Sequence, residues 1–122
     1  MSKHILVVDD SASLRQAVGI ALRGAGYAVT EACDGKDALG KLSGQKVNLI
    51  ISDVNMPNMD GITFVKSIKQ MPAYKFTPVI MLTTENQEAK KREGQAAGAK
   101  AWVVKPFQPA QLLAAVEKLV LP

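Results

Sequence analysis

Leu49-Ile50-Ile51-Ser52-Asp53 is the stretch whose reading decides the fold. Three branched aliphatics and a serine make a run too short for a stable helix and apolar enough for a strand buried on both faces. Val54-Asn55-Met56-Pro57-Asn58-Met59-Asp60-Gly61 follows, dense in turn formers, so Asp53 sits where the strand leaves its sheet. A carboxylate at the end of a buried strand is poorly suited to a core. It is well suited to a site, because open α/β sheets bind ligands at the carboxyl ends of their strands.

Working outward, strand-like and helix-like stretches alternate five times. His4–Val8 is an apolar strand ending in Asp9-Asp10, and Leu14, Ala17, Val18, Ala21, Leu22 and Ala25 then recur at helical spacing until Gly24 and Gly26. Tyr27–Glu31 is a weaker second strand. Asp34 is a candidate N-cap for a helix with Ala38, Leu39 and Leu42 inward and Gly44 as its stop. Past the central strand, Asp60 can cap a helix that buries Phe64, Val65 and Ile68 and ends before Pro72. Pro78 leads into a strand at Val79–Thr83. Residues 86–97 are helical by composition but offer mainly Ala89, Ala96 and Ala97 for docking, so this helix should be loosely held. Ala101–Val104 is the fifth strand, and Pro109 begins the last helix (108–121), with Leu112, Leu113, Val116, Leu119 and Val120 along its apolar stripe.

Five βα units predict an α/β fold: a doubly wound five-stranded parallel sheet with right-handed crossovers and order 2-1-3-4-5, the flavodoxin-like (βα)5 arrangement. The 122 residues, 48% of them hydrophobic, suffice for one such domain over 1–122. No apolar run approaches the length of a membrane span, and a start that enters a strand closed by Asp9-Asp10 does not fit a signal peptide. The single cysteine, Cys33, makes no internal disulfide, and cytoplasmic residence is expected. The net charge of +4 is spread out, with Lys90-Lys91-Arg92 its only cluster, which argues for a solvated surface over a nucleic-acid interface.

The predicted order brings Asp9, Asp10, Asp53, Thr83 and Lys105 to one edge. Taken singly, Asp10 reads equally well as a helix cap, Thr83 as a β-former and Lys105 as a surface charge. Together, on that edge, they read as a site. Two carboxylates ~4 Å apart repel by about 4 kcal/mol at an effective dielectric near 20, so the cluster calls for protons or a cation. Mg²⁺ suits the hard oxygen donors. His4 and Cys33 lie elsewhere in the pattern, so zinc is not indicated. With a cation present, one carboxylate can attack a phosphoryl group while Lys105 and the Thr83 hydroxyl steady its oxygens.

Val7-Val8-Asp9-Asp10, Ser52–Gly61, Met81-Leu82-Thr83-Thr84 and Lys105-Pro106-Phe107 together resemble the receiver domain of two-component response regulators, along the whole chain. Within that family the chain is most similar to the CheY-like single-domain chemotaxis regulators, with no output domain. The resemblance implies Asp53 as phosphoacceptor, and Asp9, Asp10, Asp53 and the Asn55 carbonyl around Mg²⁺. It further implies Thr83 as switch hydroxyl, Lys105 as phosphoryl partner and a cis Lys105–Pro106 bond. Trp102 stands where the family commonly has a rotating tyrosine or phenylalanine. It either packs inward on activation or stays a fixed strand aromatic. Glu85 is a candidate for tuning hydrolysis, or merely a cap of the next helix. The implied partners are a CheA-like histidine kinase, a flagellar motor switch protein or other output protein, and a phosphatase, with the chain a monomer. They would meet the surface of helix 86–97, strand 101–104 and helix 108–121. The chain is not expected to be an enzyme beyond its own phosphorylation and dephosphorylation. A phosphorelay shuttle or phosphate sink shares the same site residues. A phosphohydrolase fits less well, since such enzymes often carry Asp-x-Asp after strand one.

Overall fold

The computed structural model describes residues 3–42, 45–56, 58–83, 88–105 and 107–121. Five strands, β1 (His4–Val8), β2 (Ala28–Ala32), β3 (Leu49–Asp53), β4 (Val79–Thr83) and β5 (Ala101–Val104), form one parallel sheet in the order β2-β1-β3-β4-β5. Helices α1 (Ala12–Gly24), α2 (Gly35–Leu42), α3 (Gly61–Lys69), α4 (Glu88–Ala97) and α5 (Pro109–Leu119) connect or follow them. The fold is the doubly wound flavodoxin-like (βα)5 arrangement that the alternation predicts.

Every residue of β3 and β4 is buried. Because neighbouring side chains on a strand point to opposite faces, these apolar runs feed two cores. Ile50 joins Leu6, Val8, Met81, Phe64 and Ile68 on the side of α2 and α3. Leu49 and Ile51 join Ile5, Val7, Ile80, Leu82, Leu22 and Val116 on the side of α1 and α5. Leu49, Ile50 and Ile51 are fully buried, which contributes roughly 2 kcal/mol each and anchors the rail that ends in Asp53.

The helix starts are set largely as expected. The Asp34 carboxylate accepts a hydrogen bond from Asp37 N at 2.8 Å, and Asp60 accepts one from Thr63 N at 2.8 Å. At α1 the N-cap is Ser11, whose hydroxyl accepts from Leu14 N, and not Asp10. Asp10 is thereby left at the sheet edge. Gly26, at φ +97°, closes α1 in the left-handed region that glycine alone enters without cost. Strand β2 runs one residue later than Tyr27–Glu31, because its register on β1 pairs His4 with Ala28 and Val8 with Ala32. The last helix spans 109–119 and not 108–121: Gln108 and Val120 are its extended caps. The Gly44 stop and the first residues of the 86–97 helix lie outside the described residues.

Helix α4 departs from its expected docking. Ala96 is exposed and Ala97 half-buried, whereas Gly94 is buried. The reason is Trp102 on β5, whose indole is seated directly against Gly94; a Cβ on Gly94 would overlap Cζ3 and lie 3.0 Å from Cη2. His4 is held in the fold: its Nε2 lies 2.6 Å from Thr30 Oγ1 and its Nδ1 3.1 Å from Lys46 O.

Gly61 lies where the β3–α3 loop folds back on β3, its N–H donating to Val54 O at 2.8 Å. A Cβ there would run into Asp53 O and approach Met81 Cε within 2.9 Å. Gly61→Ala is therefore expected to cost about 2–3 kcal/mol through overpacking against immovable backbone. Gly24, with nothing within 4 Å of a built Cβ, is the contrasting position. Denaturant melts of Gly61→Ala and Gly24→Ala should separate by that amount; equal midpoints would contradict the packing described.

Candidate functional site

The register of β1 on β3 pairs Val8 with Ser52, so the residues that follow, Asp9 and Asp53, leave the sheet side by side. Asp9 is 1% and Asp53 7% exposed, while Asp10 is open to solvent. One oxygen from each of the three lies within 4.8 Å of the others. β3 pairs Asp53 with Leu82 on β4, placing Thr83 one position beyond, buried at 2% exposure. Lys105 follows β5, its main-chain N–H donating to Thr83 O at 2.6 Å. Its ammonium reaches across to Asp53 Oδ1 at 3.1 Å and Asp9 Oδ2 at 3.5 Å. The expected Asp9, Asp10, Asp53, Thr83 and Lys105 therefore converge. Asn55 is exposed on the adjoining loop, and Trp102 stands apart from the acids, against α4. Glu85 and the Lys105–Pro106 bond lie outside the described residues.

Asp53 carries the electrostatic cost of this arrangement. Burial, and secondarily the charge of Asp9, push its carboxyl above the ordinary value of 3.8; Lys105 and the Val54 N–H, 2.8 Å from Oδ1, work the other way. Asp9 is held on three sides: its N–H donates to Ala32 O at 3.1 Å, its Oδ1 accepts from Ser11 N at 2.8 Å, and its carbonyl accepts from Arg15 Nη1 at 2.6 Å. Its Oδ2 is buried and, apart from the Lys105 ion pair at 3.5 Å, accepts no hydrogen bond among the described residues. A buried carboxyl oxygen whose partner is the Lys105 ammonium at 3.5 Å, with no hydrogen bond made, and with two more carboxyl groups beside it, suits a hard divalent cation such as Mg²⁺.

The loop after Asp53 is tied down from the far side. Asn58, at φ 65°, donates from its side-chain amide to Asp34 Oδ2 at 2.8 Å, and Met59 lies over Gly35. The Asp37 N–H and then the Asn58 amide hold the Asp34 carboxyl below its ordinary value. This fixes the path of the backbone that carries Asn55.

Sequence reasoning passed over Arg15, Asn58 and Gly94. For Arg15 a signal was present: α1 has no acid in its first turn and places a cation there. The helix dipole disfavours that by about 0.3–1 kcal/mol, so a specific acceptor is implied. A charge-assisted hydrogen bond, worth roughly 1.5–3 kcal/mol, outweighs it. A groove of about 480 Å³ opens between α1 and α5, with Leu14, Val18, Phe107 and Leu112 in its lining. It is apolar and touches the site only through Lys105, so the chemistry stays at the sheet edge.

Residues 5–117 match the family model of the response regulator receiver domain. The chain belongs to that family. This receiver is 48% identical to the Vibrio cholerae chemotaxis protein CheY4, with a TM-score of 0.93 over 98% of this chain and 100% of that one. It is 36% identical to Protein PilG of Pseudomonas aeruginosa over 113 residues, 93% of this chain and 84% of PilG. It is 38% identical to the transcriptional regulatory protein ResD of Bacillus subtilis over 116 residues, 95% of this chain, but spans only 47% of ResD's length. The chain is thus a CheY-like receiver domain of the two-component response regulators.

The raised carboxyl of Asp53 has a measurable consequence for the receiver without metal. A carboxyl raised on folding costs stability above its folded pKa, and that cost fades as pH falls to the unfolded value, here near 3.8. Asp53→Asn should therefore be more stable than the parent by about 1 kcal/mol at pH 7 in EDTA, several degrees in Tm for a chain of this size. The gap should narrow on acidification. Thermal melts at pH 7 and pH 4.5 check both signs; a less stable Asp53→Asn at pH 7 would contradict the repulsion.

Proposed function

We propose that this receiver is the phosphoacceptor of a chemotaxis-type two-component system. It takes a phosphoryl group from a histidine kinase onto Asp53 and thereby switches the surface of α4, β5 and α5 toward a motor switch or other output protein. The observation that carries this reading is the buried Asp53 carboxylate, grouped with Asp9 and Asp10 and 3.1 Å from the Lys105 ammonium. The similarity to CheY4 over nearly the full length of both chains supports the chemotaxis assignment, and we place the receiver in the cytoplasm as part of that proposal.

An Asp53 oxygen forms the new P–O bond as the donor's bond to phosphorus breaks, giving an acyl phosphate. Mg²⁺, held by Asp9, Asp10, Asp53 and the Asn55 carbonyl, would neutralise charge on the phosphoryl oxygens. The Lys105 ammonium pairs with the transferred group, and the Thr83 hydroxyl turns toward it. β4 pairs Met81 with Trp102 and Thr83 with Val104, so a shift at Thr83 is felt along β5 and at the indole seated on α4. Glu85 serves to orient or exclude the attacking water. The chain's catalysis is confined to its own phosphorylation and dephosphorylation.

Mass spectrometry after incubation with Mg²⁺ and a small phosphodonor is expected to show one added phosphoryl group, absent in Asp53→Asn and in EDTA and strongly reduced in Lys105→Ala. Labelling that survives Asp53→Asn would overturn the assignment. Capture of a motor switch protein by the phosphorylated form alone distinguishes a switch from a shuttle or sink. The single tryptophan reports the second half. Gly94→Ala, by unseating the indole, should shift its emission to longer wavelength without phosphodonor and diminish any further change on adding one. Emission identical to the parent's under both conditions would remove Trp102 from the switch.

A further inference from the structure

We infer that Arg15 is a positioning residue for the cation site, locking the main chain of Asp9 so that Asp9 Oδ2 is presented to Mg²⁺. The inference rests on the reading of Asp9, Asp10 and Asp53 as metal ligands. Among the described residues Arg15 reaches the cluster through the carbonyl oxygen of Asp9 and pairs with no acid oxygen of the three; it acts through the backbone.

Asp9 has four polar atoms, and three of them are engaged by Ala32 O, Ser11 N and Arg15 Nη1. The Arg15 bond to Asp9 O, at 2.6 Å, is the one made by a side chain. The guanidinium is itself oriented. Its Nε lies 3.4 Å from Glu31 Oε1 on β2, and the other Glu31 oxygen is held by Arg23 Nη2 at 3.2 Å. Gly19, buried on α1, leaves room for this Arg15–Glu31–Arg23 row: a Cβ there would lie 3.1 Å from Arg23 Nη1 and 3.3 Å from Glu31 Oε2. The planar fork of an arginine addresses a carbonyl and a carboxylate from separate nitrogens in a fixed geometry, whereas a lysine ammonium is a single point on a flexible stem. A chain of contacts therefore runs from β2 through Arg15 to the loop that carries two of the three acids. Groups that orient a metal ligand commonly change metal affinity by 10–100-fold when removed.

Charge and position make opposite predictions, which isolates the role. Removing the Arg15 cation lowers positive potential near the acids and, by charge alone, should tighten Mg²⁺ binding. Loss of positioning should weaken it. Titration calorimetry with MgCl₂ on the full chain, paired with the Mg²⁺-induced rise in Tm, reads the difference directly. Arg15→Lys, which keeps the charge and loses the fork, is expected to bind Mg²⁺ about tenfold more weakly than the parent, and Arg15→Ala at least as weakly. Arg23→Ala, which loosens the same row without touching Asp9, should stay within about twofold of the parent. Parent-like or tighter binding by Arg15→Lys and Arg15→Ala overturns the positioning role while leaving the metal reading intact. A parent chain that binds no Mg²⁺ overturns the metal reading and this inference together. Should Arg15→Ala fail to fold, the Arg15→Lys measurement decides alone.

Discussion

The constraint on which the rest depends is the burial of like charges at one end of a parallel sheet. Asp9 and Asp53 are both nearly inaccessible to water, and Lys105 is the single described ammonium paired with them. At an effective dielectric near 20 a pair of carboxylates ~4 Å apart repels by about 4 kcal/mol. Left to itself the edge would relax by swinging the acids outward. It does not, because β1 and β3 are locked in register through two complete cores, and the loops that follow are tied by Arg15 on one side and Asn58 on the other. The repulsion therefore remains as an affinity for cations and for whatever the cation brings.

The two sides of the site differ in how firmly they are held. On the β1 and β3 side, aliphatics at 0–1% exposure and hydrogen-bonded loops hold the acids in place. On the β4–β5 side, the frame ends in a half-buried indole resting on a glycine, beneath a helix whose Arg92, Glu93, Gln95 and Ala96 are all exposed. A tightly packed side that carries the acids and a side closed on α4 by an indole against a glycine is the division that the proposed switch would use.

How much of this was legible in the chain follows from range. Strands β3 and β4 declare themselves because parallel strands buried on both faces are continuous apolar runs, and the order of five βα units then brings Asp9, Asp53, Thr83 and Lys105 to one edge. The caps at Asp34 and Asp60 are visible because capping is local, three residues deep. Ser11 displaced Asp10 as cap because a single residue's shift decides which side chain reaches the first free N–H. What stayed hidden is what depends on tertiary neighbours. Gly94 reads in sequence as a weak point in a helix, and only the Trp102 ring on the next strand explains it. Asn58 reads as a turn former, and its second role needs Asp34, 24 positions away.

The same distinction explains why α4 was misjudged in detail though not in kind. A helix offering mainly alanines for docking was expected to be loosely held, and among its residues 91–97 only Gly94 is buried. But the expectation counted only the side chains the helix itself presents. Docking here runs in the opposite sense: β5 supplies the knob and α4 the hole, through the absence of a side chain at Gly94. A knob supplied by the strand ties part of the helix's seat to the strand's rotamer, alongside its packing on α3 and the contact of Ala97 with the core. The seat of α4 at Gly94 therefore depends on the ring of Trp102, which pairs with Met81 of β4. A helix packed by its own leucines would be more stable and deaf to that ring.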